Sequence, residues 1–453
     1  ALECLYALFA LCRYPATWQL GITGTFANPA GLAFFLCASL PFSFALPSVY
    51  KTDKGRKAFY TAVCLLIAAT IPLTHSRTGL ICLAAYILTA IAHCGKPHMR
   101  IRWKLAIPVV ALTGASVLFF KSGSTSGRMF ILGRTWELIR ENPWTGYGTG
   151  GFNKEYMNKQ ADFFKQHPDS PAAILADETG HPLNEFAYLW VEHGIAAPLA
   201  LLLLPAGLCY ILRHRKDMPS LTASCTLIPL LLFSLFSYPF RYPMAWVTVG
   251  WCAGIAAENR LRVLLRRKVL KSLAILGLFS AGIGMETYLV RELPWEKDWG
   301  HASREALKGK GEKMMPEYAR LYTHFAHHPE FLYNYAAELF QTGYPEEALH
   351  MALACRKQWS KYNLELLTGD ICRELRKYEE AIRHYKSAAY MCPVRFAPLE
   401  GLYYAYKNTG DFSRADSIAL TIQQKDIKVP SYDVERIKKE IRPEKQHILQ
   451  NTP

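Results

Sequence analysis
The chain has 453 residues, with 52 Lys and Arg against 37 Asp and Glu and a formal net charge of +15. That charge would suit nucleic acid, but much of it sits in short clusters between apolar runs, the pattern of cytoplasmic turns in a membrane protein. The 12 cysteines form no CxxC pair and lie mostly within apolar runs, where Cys acts as a small hydrophobe, so they do not read as a disulfide or zinc framework.

Hydrophobic residues make up 51% of the chain and charged residues 20%, but these averages hide two unlike halves. Up to about Val290, apolar runs of roughly membrane-spanning length follow one another. Nine helices are expected, near 1–12, 29–50, 58–74, 78–95, 104–121, 184–212, 219–237, 242–258 and 270–290. Ala1 opens within an apolar run and no initiator Met is present, so the chain reads as a fragment lacking its first membrane helices. Basic turns stand at Lys51–Lys57, Lys96–Lys104, Arg213–Lys216 and Arg260–Lys271, and the positive-inside rule makes these cytoplasmic. The turns 13–28, 74–77 and 237–241 then lie outside, with the long 122–183 segment and everything after Val290.

Polar groups mark the outer ends of these helices. Arg77 lies in Thr74-His75-Ser76-Arg77-Thr78-Gly79, Arg241 in Ser237-Tyr238-Pro239-Phe240-Arg241, and Asn28 in Phe26-Ala27-Asn28-Pro29. Ionisable groups near membrane depth face a cavity, a partner or water, or they snorkel to the interface, and both readings stay open here. The 122–183 segment is expected as one large external loop. Its spaced aromatics (Trp136, Trp144, Phe152, Tyr156, Phe163, Phe164) argue against disorder. Arg128 follows Ser126-Gly127, and Arg134 would face a similar direction if the segment were irregular. Guanidinium forks bind phosphate oxygens bidentately. Pro143 stops a helix, and Gly146, Gly148, Gly150 and Gly151 form a permissive loop. That loop follows a helix rather than a strand, which removes a nucleotide-binding reading. His181 suits proton transfer with an acceptor hydroxyl, or is a solvated loop histidine. Glu185 and Glu192 share one helix face, where they orient that histidine, bind a sugar, or begin a solvated helix.

Beyond Arg291 the apolar runs vanish. Trp295 and Trp299 read as interface anchors. Tyr344-Pro345-Glu346-Glu347-Ala348, Tyr378-Glu379-Glu380-Ala381 and Phe412-Ser413-Arg414-Ala415 recur at a spacing near 34, the tetratricopeptide period. Such helix pairs bury their faces only by stacking, and the stack either binds a protein partner or caps the membrane half. The fold expected is all-α. A polytopic transmembrane bundle over 1–290 precedes a soluble tetratricopeptide-type α-solenoid over 300–425 and a charged, partly disordered tail over 426–453.

Several of these pieces together resemble the O-antigen ligase and polymerase family of bacterial membrane glycosyltransferases. They are Gly24 through Pro29, Ser76 through Gly79, Ser126-Gly127-Arg128, Pro143 through Phe152, Tyr156, Gln160, His181 through Glu185, Glu192, Gly194 and Ser237 through Pro243. The helical repeats look like the versions fused to this domain in Bacteroides-like bacteria. The resemblance implies transfer of a glycan from an undecaprenyl-diphosphate carrier to an acceptor hydroxyl on lipid A core, protein or growing polysaccharide. The place would be the periplasmic face of the inner membrane, with the C-terminal domain in the periplasm and no nucleotide, metal or other cofactor. It implies that Arg77, Arg128 and Arg241 hold the diphosphate and that His181 deprotonates or orients the acceptor. Arg134, Asn184 and Glu185 complete the substrate-binding candidates. Two other classes compete. A polysaccharide transporter or flippase would show internal repeats and broken helices near the midplane. A non-catalytic envelope scaffold would work through its repeats alone.

Overall fold
The computed structural model describes residues 1–13, 21–49, 53–93, 122–215, 217–265 and 268–443. Every element among them is helical, as the all-α expectation requires. The chain divides into two compact units. The first comprises Ala1–Arg128, Pro143–Thr145 and His181–Ser272, and the second Met129–Asn142, Gly146–Gly180 and Leu273–Pro453.

The first unit holds α1 (Leu2–Arg13), α2 (Pro29–Val49), α3 (Lys54–Leu73), α4 (Arg77–His93), the start of α5 (Ser122–Glu141), α7 (Glu185–His193), α8 (Ala196–Arg213), α9 (Met218–Phe236) and α10 (Pro243–Leu265). The helix expected at 104–121 lies outside the described residues. Pro29–Leu46, Lys54–Leu73, Met218–Phe236 and the run opening at Val269 are long and apolar enough to cross a membrane. Polar side chains set where several helices begin. Asp53 accepts from Arg56 N at 2.8 Å, and Asp217 accepts from Ser220 N at 2.9 Å.

In lipid the tails are as apolar as leucine, so helices associate through close packing rather than hydrophobic transfer. The core of this unit accordingly mixes large and small side chains. Leu32, Phe34, Leu36 and Cys37 of α2 meet Ile67 and Ile71 of α3, Cys82 of α4, and Leu227, Leu230 and Phe233 of α9. A Cβ on Gly79 would stand 3.2 Å from that of Ala33, which shows how closely α2 and α4 approach.

One expected helix is broken. The 184–212 run forms α7 and α8, parted at Gly194. Pro143-Trp144-Thr145 passes through this break. Pro143 O accepts from Ile195 N at 3.0 Å and from Trp190 Nε1 at 2.8 Å.

The second unit corrects the reading of 122–183 as a single loop. Most of that segment is α5, α6 (Gly151–Gln166) and a 3-10 turn at Pro171–Ile174. Helix α11 (Lys268–Glu305) runs 38 residues without ending at Val290. Trp295 and Trp299 pack, partly buried, against the core of this unit. Then follow α12 (Gly311–Phe325), α13 (Pro329–Gln341), α14 (Pro345–Arg356), α15 (Tyr362–Glu374), α16 (Tyr378–Met391), α17 (Ala397–Asn408), α18 (Phe412–Gln424) and α19 (Tyr432–Glu440). Each of α13 to α18 packs on its sequence neighbour. Tyr385 shows why two of the glycines are fixed. A Cβ at Gly369 or Gly401 would come within 2.7 or 2.4 Å of its ring, and its hydroxyl donates to Asp370 Oδ1 at 2.6 Å. The tail is more ordered than expected, because α19 buries Ile437 and Gln423 Nε2 donates to Lys438 O and Ile441 O, both at 2.7 Å.

Helix α6 seats on α16 within this second unit. Gln160 is fully buried there; its Nε2 donates to Met391 O at 2.6 Å and to Asp177 O at 3.1 Å, and its Oε1 accepts from Tyr156 Oη at 3.1 Å. Ser360 N donates to Asn153 O at 3.0 Å and Ser360 Oγ to Asn158 Oδ1 at 2.9 Å. Arg395 pairs with Asp177 at 2.8 Å and Lys361 with Glu178 at 3.3 Å. The exposed Arg395 pair contributes little alone, but the buried amide does more. Gln160→Ala would strand Met391 O, at about 1–3 kcal/mol, while Asp177 O keeps the Thr179 hydroxyl at 3.2 Å. Amide hydrogen exchange should then show faster exchange across 151–166, with the α17–α18 pair unchanged.

Candidate active site
The motif pieces of the first unit converge on one end of the helix bundle, and most of them begin a helix. Asn28 Oδ1 accepts from Gly31 N at 2.8 Å and starts α2. Ser76 Oγ accepts from Gly79 N at 3.2 Å and starts α4, which places Arg77 in its first turn. Asn184 Oδ1 accepts from Ala187 N at 2.9 Å and starts α7. Helix N-termini carry partial positive charge, so these starts favour an anion.

Tyr238, in the turn between α9 and α10, is the hub. Asn28 Nδ2 donates to its hydroxyl and to that of Tyr242. The guanidinium of Arg241 lies 5.7 Å from its ring centroid, and the ring of His181 lies at 5.1 Å. Arg128 Nη1 donates to Phe236 O at 3.0 Å, and Asn184 Nδ2 donates to Leu235 O at 3.1 Å. These two bonds tie α5 and α7 to the end of α9. Burial lowers the Arg128 pKa, the nearby charge of Arg77 lowers it further, and Tyr238 acts the other way. Two like charges held near a half-buried site make a place where an anion gains and a cation loses.

His181 is 6% exposed and Glu185 3%, so the histidine is not a solvated loop residue. The imidazole stacks on Tyr188 at 4.6 Å. Its Nδ1 accepts from Leu183 N at 3.0 Å. Leu183 adopts a left-handed φ of 56°, a conformation that costs a leucine energy. Glu185 Oε1 accepts from Phe240 N at 3.1 Å, while Oε2 stands 3.5 Å from His181 Nε2. That spacing attracts charge but is not an aligned hydrogen bond, and Nε2 is buried without a hydrogen-bond partner. Burial lowers the His181 pKa, partly opposed by Glu185, so the ring is neutral at physiological pH.

Arg77, Arg128, His181, Asn184, Glu185 and Arg241 therefore all belong to the first unit. Arg134 belongs to the second, where it pairs with Glu137 at 2.9 Å and lies 4.2 Å from the Phe163 ring centroid. The segment is helical rather than irregular, and six residues along a helix turn the side chain about 120° away from Arg128. Residues 62–202 match the O-Antigen ligase family model. That stretch is similar to the O-antigen ligase domain. No curated protein matches the chain. The match, together with the apolar helices, points to a multi-pass membrane protein and supports a glycan-transferring ligase role in general. The matched stretch holds Arg77, Arg128, His181, Asn184 and Glu185, whereas Asn28, Tyr238 and Arg241 lie outside it and join through packing. Tyr188 and Tyr238 were missed as site residues. Tyr238 stood within the 237–243 motif, where only the charge of Arg241 drew notice.

Proposed function
We propose that the protein transfers a glycan from an undecaprenyl-diphosphate carrier to an acceptor hydroxyl at the periplasmic face of the inner membrane. The carrying observation is the gathering of Arg128 and Arg241 at Tyr238, with Arg77 near enough to Arg128 to act on its charge, beside the buried His181–Glu185 pair. The acceptor oxygen attacks the anomeric carbon, and the bond to the diphosphate breaks. The departing charge falls to the guanidinium groups and helix N-termini, where preorganised donors are worth most. A diphosphate leaves readily, so no covalent intermediate is needed. His181 addresses the acceptor hydroxyl; Asn184 and Glu185 fix its surroundings.

The C-terminal helix pairs are read as tetratricopeptide repeats of a periplasmic domain, supported by the 34-residue recurrence and the packing of each of α13 to α18 on its sequence neighbour. The orientation rests on the basic turns, which the positive-inside rule assigns to the cytoplasm. Deleting the gene in its host tests the reading. Carrier-linked glycan should accumulate while a glycosylated product, whether lipopolysaccharide, glycoprotein or polymer, disappears. Unchanged glycoconjugates and no accumulated carrier would refute it.

A further inference from the structure
We propose that Glu185, not His181, receives the proton from the acceptor hydroxyl, and that His181 orients that hydroxyl as a hydrogen-bond donor. The proposal rests on the glycan-transfer reading above and assigns its proton.

A neutral imidazole has one lone pair. In His181 it is on Nδ1 and is taken by the backbone N–H of Leu183 at 3.0 Å. The ring proton is therefore on Nε2, the nitrogen with no hydrogen-bond partner. Such a nitrogen gives a hydrogen bond and has no pair with which to take a proton. Buried polar groups without partners are rare and costly, and at an enzyme site they mark where a ligand atom binds. The basic atom at hand is Glu185 Oε2, 3.5 Å from Nε2. Its sister oxygen is engaged by Phe240 N, which fixes the carboxylate's orientation. A hydroxyl beside both atoms accepts from Nε2–H and donates to Oε2, at ordinary hydrogen-bond length to each.

The step balances. The acceptor O–H proton passes to Glu185 Oε2 as the oxygen bonds to the anomeric carbon. The carbon–oxygen bond to the diphosphate breaks, and its electron pair leaves on the diphosphate. Glu185 returns its proton to solvent.

The test uses the full-length protein in membranes, with carrier-linked glycan and acceptor extracted from the deletion host. Glu185→Gln keeps an oxygen for Phe240 N but no basic carboxylate. Its kcat should fall by about 10²–10⁴-fold, with KM for the carrier within a few-fold of wild type. His181→Gln can restore an amide donor near the Nε2 position. It should stay within roughly tenfold of wild type, because the carboxylate that takes the proton is intact. An inactive His181→Gln beside a Glu185→Gln that keeps most of its activity would overturn the proposal. Should Glu185→Gln fail to accumulate in membranes, Glu185→Asp reads the same step, and wild-type kcat in that variant would also overturn it. Failure of the underlying reading looks different: wild-type membranes would yield no product dependent on carrier-linked glycan.

Discussion

Arg128→Ala should lower glycan transfer by roughly two to three orders of magnitude, the usual cost of removing a preorganised donor at a developing anion. Arg128 adjoins a second guanidinium at Arg77 and is partly desolvated, which strengthens its field at that point. Its bond to Phe236 O is one donor of five, leaving the rest of the fork for phosphate oxygens. Arg128→Lys should recover little, since an ammonium cannot make the paired contact. Transfer measured in membranes, with carrier-linked glycan quantified beside product, checks this. Equal protein levels and an unchanged melting temperature separate lost chemistry from lost folding. Full activity in Arg128→Ala would remove this residue from the site.

Gly194→Ala should be the most damaging single methyl in the first unit. The backbone there has a φ of 70°, which L side chains avoid, and a Cβ would stand 1.8 Å from Trp144 O. Relief requires expelling Pro143-Trp144-Thr145 from the α7–α8 break, with loss of the Ile195 and Trp190 bonds to Pro143 O. A loss above about 3 kcal/mol is expected, in the range reserved for backbone strain joined to broken packing. Gly207→Ala in the middle of α8 is the control. A Cβ there meets nothing within 4 Å, and helix propensity favours alanine by up to about 1 kcal/mol. Detergent-solubilised protein followed by size exclusion on heating should show Gly194→Ala aggregated and Gly207→Ala at least as stable as wild type.

The membrane helices were legible because their signal is local. Apolar runs, charged turns and caps such as Asp53 and Asp217 lie within a few residues of the boundaries they set. What escaped was imposed from a distance. The break at Gly194 exists because Trp144 approaches it, and nothing in 184–212 alone announces that. Helix α5 carries Gly127, Gly133 and several serines, a composition of low helix propensity, so its order read as a loop. Once that segment is helical, its periodicity separates Arg128 from Arg134, which an irregular chain would not have done. The charged and imidazole groups of the site could be picked out by residue type. The aromatic ring joining them could not, since Tyr238 draws its partners from Asn28, His181 and Arg241, three separate stretches.

The seat of α6 on α16 also has a consequence for biogenesis. Gln160 and Met391 are bonded across 231 positions of chain. At ribosomal speeds of about 5–20 residues per second, the earlier partner emerges roughly ten to fifty seconds before the later one exists. Over that interval Gln160, fully buried in the finished protein, lacks its Met391 partner, and the helix that α6 seats on has not been made. This stretch is the natural client for a chaperone during synthesis, and its late closure makes maturation of the protein slow by construction.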